Sequence, residues 1–203
     1  MIDLKKESEK MLLDAAERLA QFVSSSSFEV WNRKDFRMYL DFDHISVGEH
    51  DRIFNELLVS TLGMYVLFAE YAVERSHIAF KSLLTDFKNN LVLSFLDQFR
   101  KAGVEEKNIK EWSTLINLRF KEYHDDYKVA LKESEKAKEF DKTEDDLRIR
   151  WAIVETITID CLDHVRRGKV EKDDPLWKLL RKWFILRTAE MNPVVKLGQD
   201  KSS

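Results

Sequence analysis

An all-α, multi-helix bundle of about six or seven helices is the fold class this sequence predicts, and three observations predict it. Glycine and proline are scarce, five and two in 203 residues, so the chain has few of the residues that turn-rich β proteins need. Charged residues make up 35% and hydrophobic residues 44%, the balance of long amphipathic helices. Apolar positions recur at spacings of three and four, as at Leu12, Ala15, Leu19 and Phe22. A chain of this length buries one substantial core, so residues 1–192 are expected to form a single domain, with 193–203 a polar, disordered C-terminal tail.

Residues 2–23 read as one amphipathic helix that ends at Ser24–Ser27, where hydroxyls compete for the backbone. The next segment carries Phe28, Trp31, Phe36, Tyr39 and Phe42 and is too apolar for a free linker. Within it "NRKDFRMYL" fits a short helix and "FRMYLDFDHI" fits an edge strand. Ser46 and Glu49 form a capping box, so a helix starts near Gly48 and continues to about Glu74. That helix is apolar nearly all round, which makes it the central, largely buried one, and Gly63 within it marks a close helix crossing.

A further helix from His77 to Lys101 ends in "RKAG", with Gly103 as a left-handed cap. From Glu105 onward Ile109, Trp112, Ile116, Tyr123 and Tyr127 share one seam, unbroken until about Phe140. The far half of this helix, near 128–146, is mostly charge and is expected to project as a solvated arm. Thr143 with Asp146 marks the next start. "IVETITI" has the β-branched look of a strand, but no strand partners exist elsewhere, so a helix running to Gly168 is the better fit. Asp174 and Pro175 open the last helix, and Asn192–Pro193 closes it.

Formal charge is −3 and the pI about 6.0, so no global field draws the chain to nucleic acid or to an anionic membrane. The N-terminus "MIDLKKESEK" lacks the apolar core of a signal peptide, and the lone Cys161 has no internal disulfide partner. A reducing cytoplasm is the expected compartment. The longest uncharged run, residues 57–69, is thirteen residues against the roughly twenty a spanning helix needs, so no transmembrane segment is expected.

Two constellations carry chemistry. Glu70, Glu74 and His77 stand at intervals of four and three, and a Glu-x-x-His pair on one helix face can offer hard oxygen and imidazole to a divalent transition metal. A full carboxylate site needs more, and Glu155, Asp160 and His164 are the nearest complement. The competing reading of the same residues is ordinary ion pairing at the edge of a core. "EYHDDY" points its side chains in different directions and reads as a solvated face, while Cys161, among Ile157, Ile159, Leu162 and Val165, reads as an inert core thiol. Nucleophile-elbow, P-loop and dinucleotide-binding patterns are missing from the sequence.

The second constellation is aromatic and basic. Trp31, Phe36, Tyr39 and Phe42 in one segment, and Trp177, Lys178, Arg181 and Lys182 in "WKLLRKWFILR", have the composition of partner-binding surfaces. The leading functional expectation is therefore a non-enzymatic helical protein, without a cofactor, that binds a protein partner or forms a homo-oligomer. A metal-dependent bundle enzyme is the alternative, and a peripheral membrane or nucleic-acid contact through the basic last helix is the weaker third.

Overall fold

One long apolar helix runs through the middle of the molecule, because its sequence offers no polar face to water. The structure is a computed structural model that describes residues 4–136, 145–170 and 173–191. Seven α-helices occur among the described residues: α1 Leu4–Trp31, α2 Lys34–Tyr39, α3 Val47–Arg75, α4 Ile78–Lys101, α5 Glu106–Lys136, α6 Asp145–Arg166 and α7 Pro175–Arg187, followed by a 3-10 turn at Thr188–Met191. No strand occurs among them. Every residue of α3 from 56 to 69 is buried.

α1, α4, α5 and α6 pack directly on α3, and α7 lies on α6. Long-range side-chain pairs fix the directions. Ser27 meets Thr61 at 3.0 Å and Phe28 meets Phe54, so α1 runs antiparallel to α3. Lys88 reaches Glu70 at 3.2 Å, which sets α4 antiparallel as well. Glu56–Arg119 and Ser60–Tyr123 run α5 parallel to α3, whereas Arg52–Val165 and Tyr71–Asp146 return α6 antiparallel. α7 closes back toward α1, where Arg187 lies 3.5 Å from Glu29 and over the Phe22 ring.

The local start and stop signals act as the sequence predicts. The Ser46 hydroxyl accepts the Glu49 amide at 3.2 Å, and the Asp174 carboxylate accepts the Leu176 amide at 2.9 Å beside Pro175. Gly103 takes the left-handed conformation, φ +82, just after α4. At the α3–α5 crossing the Tyr123 ring lies on Gly63, where an added Cβ would stand 2.6 Å from the ring. Gly63 thus marks the close crossing expected of it.

Two expectations are corrected and one open alternative is decided. α1 does not stop at the serines but continues to Trp31, because the Ser26 hydroxyl donates to the Val23 carbonyl within the helix and Ser27 finds Thr61 across the core. The segment after it forms the short helix α2, with Phe36 buried, and no edge strand. The charged half of α5 does not project over its described length. Tyr127 and Ser134 are buried, Ala130 and Leu131 pack against the core, and Glu135 pairs with Arg148 of α6 at 3.3 Å. The rest of the expected arm, 137–144, and the tail, 193–203, lie outside the described residues. Finally, α3 is long and apolar enough to cross a bilayer by length and composition, although its longest uncharged run is short; 89% of its most apolar window is buried inside the bundle.

Candidate functional site

The acidic stripe of α3 comes apart in space. Glu70 is half-buried between Lys88 of α4 and His124 of α5; the His124 Nδ1 stands 3.3 Å from its second oxygen, within ion-pair reach but off the line of a hydrogen bond. Glu74 is exposed. His77 is not on the helix at all: α3 ends at Arg75, and Ser76 turns the chain into an extended conformation, φ −74 and ψ 151. A Glu-x-x-His unit needs an unbroken helix to align its two donors, and here the second donor falls one residue past the break.

The α6 complement is equally committed elsewhere. Glu155 is buried and ion-paired to Arg181, and His164 Nε2 lies 3.2 Å from Glu122. Among the described residues no group of three or more His, Cys, Asp or Glu side chains is placed to hold a metal ion. Of the six expected ligands, Glu70, Glu155 and His164 belong to separate ion pairs, Glu74 and His77 lie at the surface, and Asp160 stands apart from them with one buried, unpartnered oxygen.

What the structure does build is a polar seam between α3, α5 and α6. The Arg119 guanidinium of α5 donates to both oxygens of buried Glu56, at 3.0 and 2.8 Å, and to Glu122 at 2.9 Å. Glu122 continues the chain to His164. Beneath it the Tyr123 and Ser60 hydroxyls meet at 3.0 Å. Burial pushes the Cys161 thiol up to about 12, which removes it as a nucleophile near neutral pH. Asp160 differs from its neighbours. One of its oxygens is buried with no hydrogen-bond partner, and burial, with Asp126, Glu122 and Asp163 nearby, pushes its carboxyl up to about 7. The seam joins helices by closed pairs and offers no aligned nucleophile and base.

The first aromatic group is mostly interior. Phe36 and Phe42 are buried, with ring centres 6.0 Å apart, and Trp31 packs on Phe54 at 5.7 Å. Tyr39 is half-buried against the core. Arg37 covers the Trp31 and Phe42 rings at 5.1 and 4.6 Å. As a partner surface Phe36 and Phe42 are therefore corrected: α2 tucks between α1 and α7, which gives their rings a place inside.

The second group is on the outside. Trp177 is half-buried under the Arg181 guanidinium, 5.6 Å from the ring centre, and Arg181 is held there by Glu155. Lys178 and Lys182 are exposed one turn apart and make no ion pair among the described residues. Alongside, Leu147, Trp151, Glu155 and Ile159 of α6 recur every four residues in one winding row. Trp151 is 37% exposed and Ile159 54%, and on α7 Ile185 is 44% exposed. Sequence reasoning missed this row. Its four-residue spacing was the available signal, hidden because the stretch around it is apolar on every side.

The class these features define is an all-α bundle wrapped round a buried central helix. No protein-family model, no curated protein and no solved structure matches the chain.

Proposed function

We propose that this chain is a non-enzymatic protein-binding module whose contact surface is the seam between α6 and α7. The observation that carries the reading is the set of exposed apolar side chains Leu147 and Ile159 of α6 beside α7 with its exposed Ile185 and Leu186. Large apolar side chains gathered on one face are what protein contacts bury, whereas singly scattered ones need no account. The seam has the parts of a contact centre: apolar surface, a half-buried tryptophan, and an arginine stacked on it. The closed ion pairs of the interior favour a structural role for the carboxylates that otherwise suggested catalysis.

A photo-crosslinking residue placed at Ile159 tests the reading in cells, with the same residue at Leu93, exposed on α4, as the control. Discrete protein adducts at 159 and none at 93 are expected. Equal or absent adducts at the two positions overturn it, and an adduct of twice the chain's mass identifies a second copy as the partner.

A further inference from the structure

We propose that the pocket between α2 and the turn after it binds an acidic α-amino acid, at a site that does not use the α6–α7 surface. The pocket has a volume of about 470 Å³, which suits a small molecule, and Lys34, Arg37, Met38, Phe42 and Asp43 line it. Its floor follows from how α2 ends. Asp41 adopts the left-handed conformation, φ 52, so the Asp41 amide donates to the Met38 carbonyl at 3.2 Å and the Phe42 amide to the Arg37 carbonyl at 3.1 Å. This closure folds the chain back and sets the Phe42 ring beneath the Arg37 guanidinium. Phe42 is held in place from three sides: His50 of α3 stacks on its ring at 4.5 Å, and Trp31 and Phe36 meet it edge to face at 5.8 and 6.0 Å.

The charges around this floor select the ligand. The half-buried Arg37 guanidinium lies over the Phe42 and Trp31 rings, 4.6 and 5.1 Å from their centres, but its N–H donors make no hydrogen bond or ion pair among the described residues. A planar fork of unused donors matches a carboxylate in two-pronged fashion. Lys34, one turn earlier on the same face of α2, is exposed and also without an ion pair among the described residues. Asp43 is the free acid of the lining, whereas Asp41 lies against the His44 ring and raises its pKa, which offsets the charge of Asp41. The unpaired charges are thus two positive and one negative. Their complement is a small molecule with two carboxylates and one ammonium group. Arg37 takes one carboxylate, Lys34 the other and Asp43 the ammonium, while the methylenes between them lie on the exposed Met38. A plain dicarboxylic acid leaves Asp43 facing an unmatched anion, and a compact phosphate carries nothing for Asp43 at all.

Isothermal titration calorimetry of the full chain with L-glutamate, glutarate and L-glutamine tests the proposal, since glutarate lacks only the ammonium group and L-glutamine only the second carboxylate. L-glutamate should bind at least about tenfold tighter than either, the size expected when one charged partner is left unmatched. Arg37→Lys keeps the charge but loses the fork and should weaken L-glutamate at least about fivefold. Asp43→Asn should bring glutarate level with L-glutamate, and Lys34→Gln should do the same for L-glutamine. Lys34 and Asp43 are exposed, and an unchanged urea midpoint confirms that both variants keep the fold. In NMR spectra L-glutamate should shift the Trp31 indole N–H resonance, because Arg37 lies over that ring. Several outcomes overturn the proposal: no heat and no resonance shift up to about 10 mM L-glutamate, equal binding of the three compounds, or a response unaltered by Asp43→Asn and Lys34→Gln. Inorganic phosphate binding as tightly as L-glutamate also overturns it, by making the pocket an unselective anion site.

Discussion

Gly63 lies where α3 and α5 cross, and the Tyr123 ring fills the space a side chain would need. Alanine there gains about 1 kcal/mol of helix propensity, yet it drives a methyl into a buried ring that is anchored by Ser60. Gly63→Ala is expected to lower stability by about 1–3 kcal/mol, read from the urea midpoint. Asp160 invites a different experiment. Its folded value near 7 lies above the ordinary 3.8, so between those limits the native state holds a proton that the unfolded chain lacks. Stability from this group is therefore full below about pH 4 and falls as pH rises to about 7. Discounted for its partial exposure, the loss is about 1–3 kcal/mol. Asp160→Asn should flatten the profile between about pH 4 and 7 and exceed the wild type at about pH 8. Glu49, drawn down to about 2 by Arg52 and Arg167, acts with the opposite sign as pH falls from 4.5, so it leaves the range from about pH 5 to 7 undisturbed. A profile with the same slope in the variant would remove Asp160 as its source.

At the scale of elements, a buried charge pair joins α5 to α3 beside the packing of Tyr123 on Gly63. Arg119→Met strands the Glu56 carboxylate in the core and is expected to cost about 3–5 kcal/mol; Glu56→Leu added to it should recover most of that, in a double-mutant cycle. Ser46→Ala removes the cap of α3 and should cost about 1 kcal/mol by the same denaturant measurement. Signals of this local kind were legible in the sequence: Ser46 with Glu49, Asp174 with Pro175, and Gly103 act within a few residues of themselves. Misreadings arose where the deciding group sits on another helix. The serines at 24–27 do not stop α1, since Thr61 awaits one of them, and the charged end of α5 stays docked because Arg148 and the core receive it. The Glu70 stripe failed for a smaller reason, a helix end two residues before His77. Of the proposed contact surface, Trp177 and its basic neighbours were legible from composition, while Ile159 required knowing which side α7 covers.

For the molecule as a whole, the burial of residues 56–69 ties the fate of every helix to one element. Hydrogen exchange should be slowest for the amides of 57–69, at rates set by global unfolding alone, and those of α7, covered on fewer sides, should exchange sooner. Exchange of α3 by a route that leaves the other helices protected would contradict this account of the core. The same architecture has a cost during synthesis. α3 leaves the ribosome about ninety residues before α6, its antiparallel cover, is complete, which at translation speeds of about 5–20 residues per second is a delay of about 5–20 s. Through that interval a segment greasy enough to pass for a membrane anchor has only α1, and then α4 and α5, to hide behind. Slowing elongation after codon 75 should therefore increase aggregation of the nascent chain.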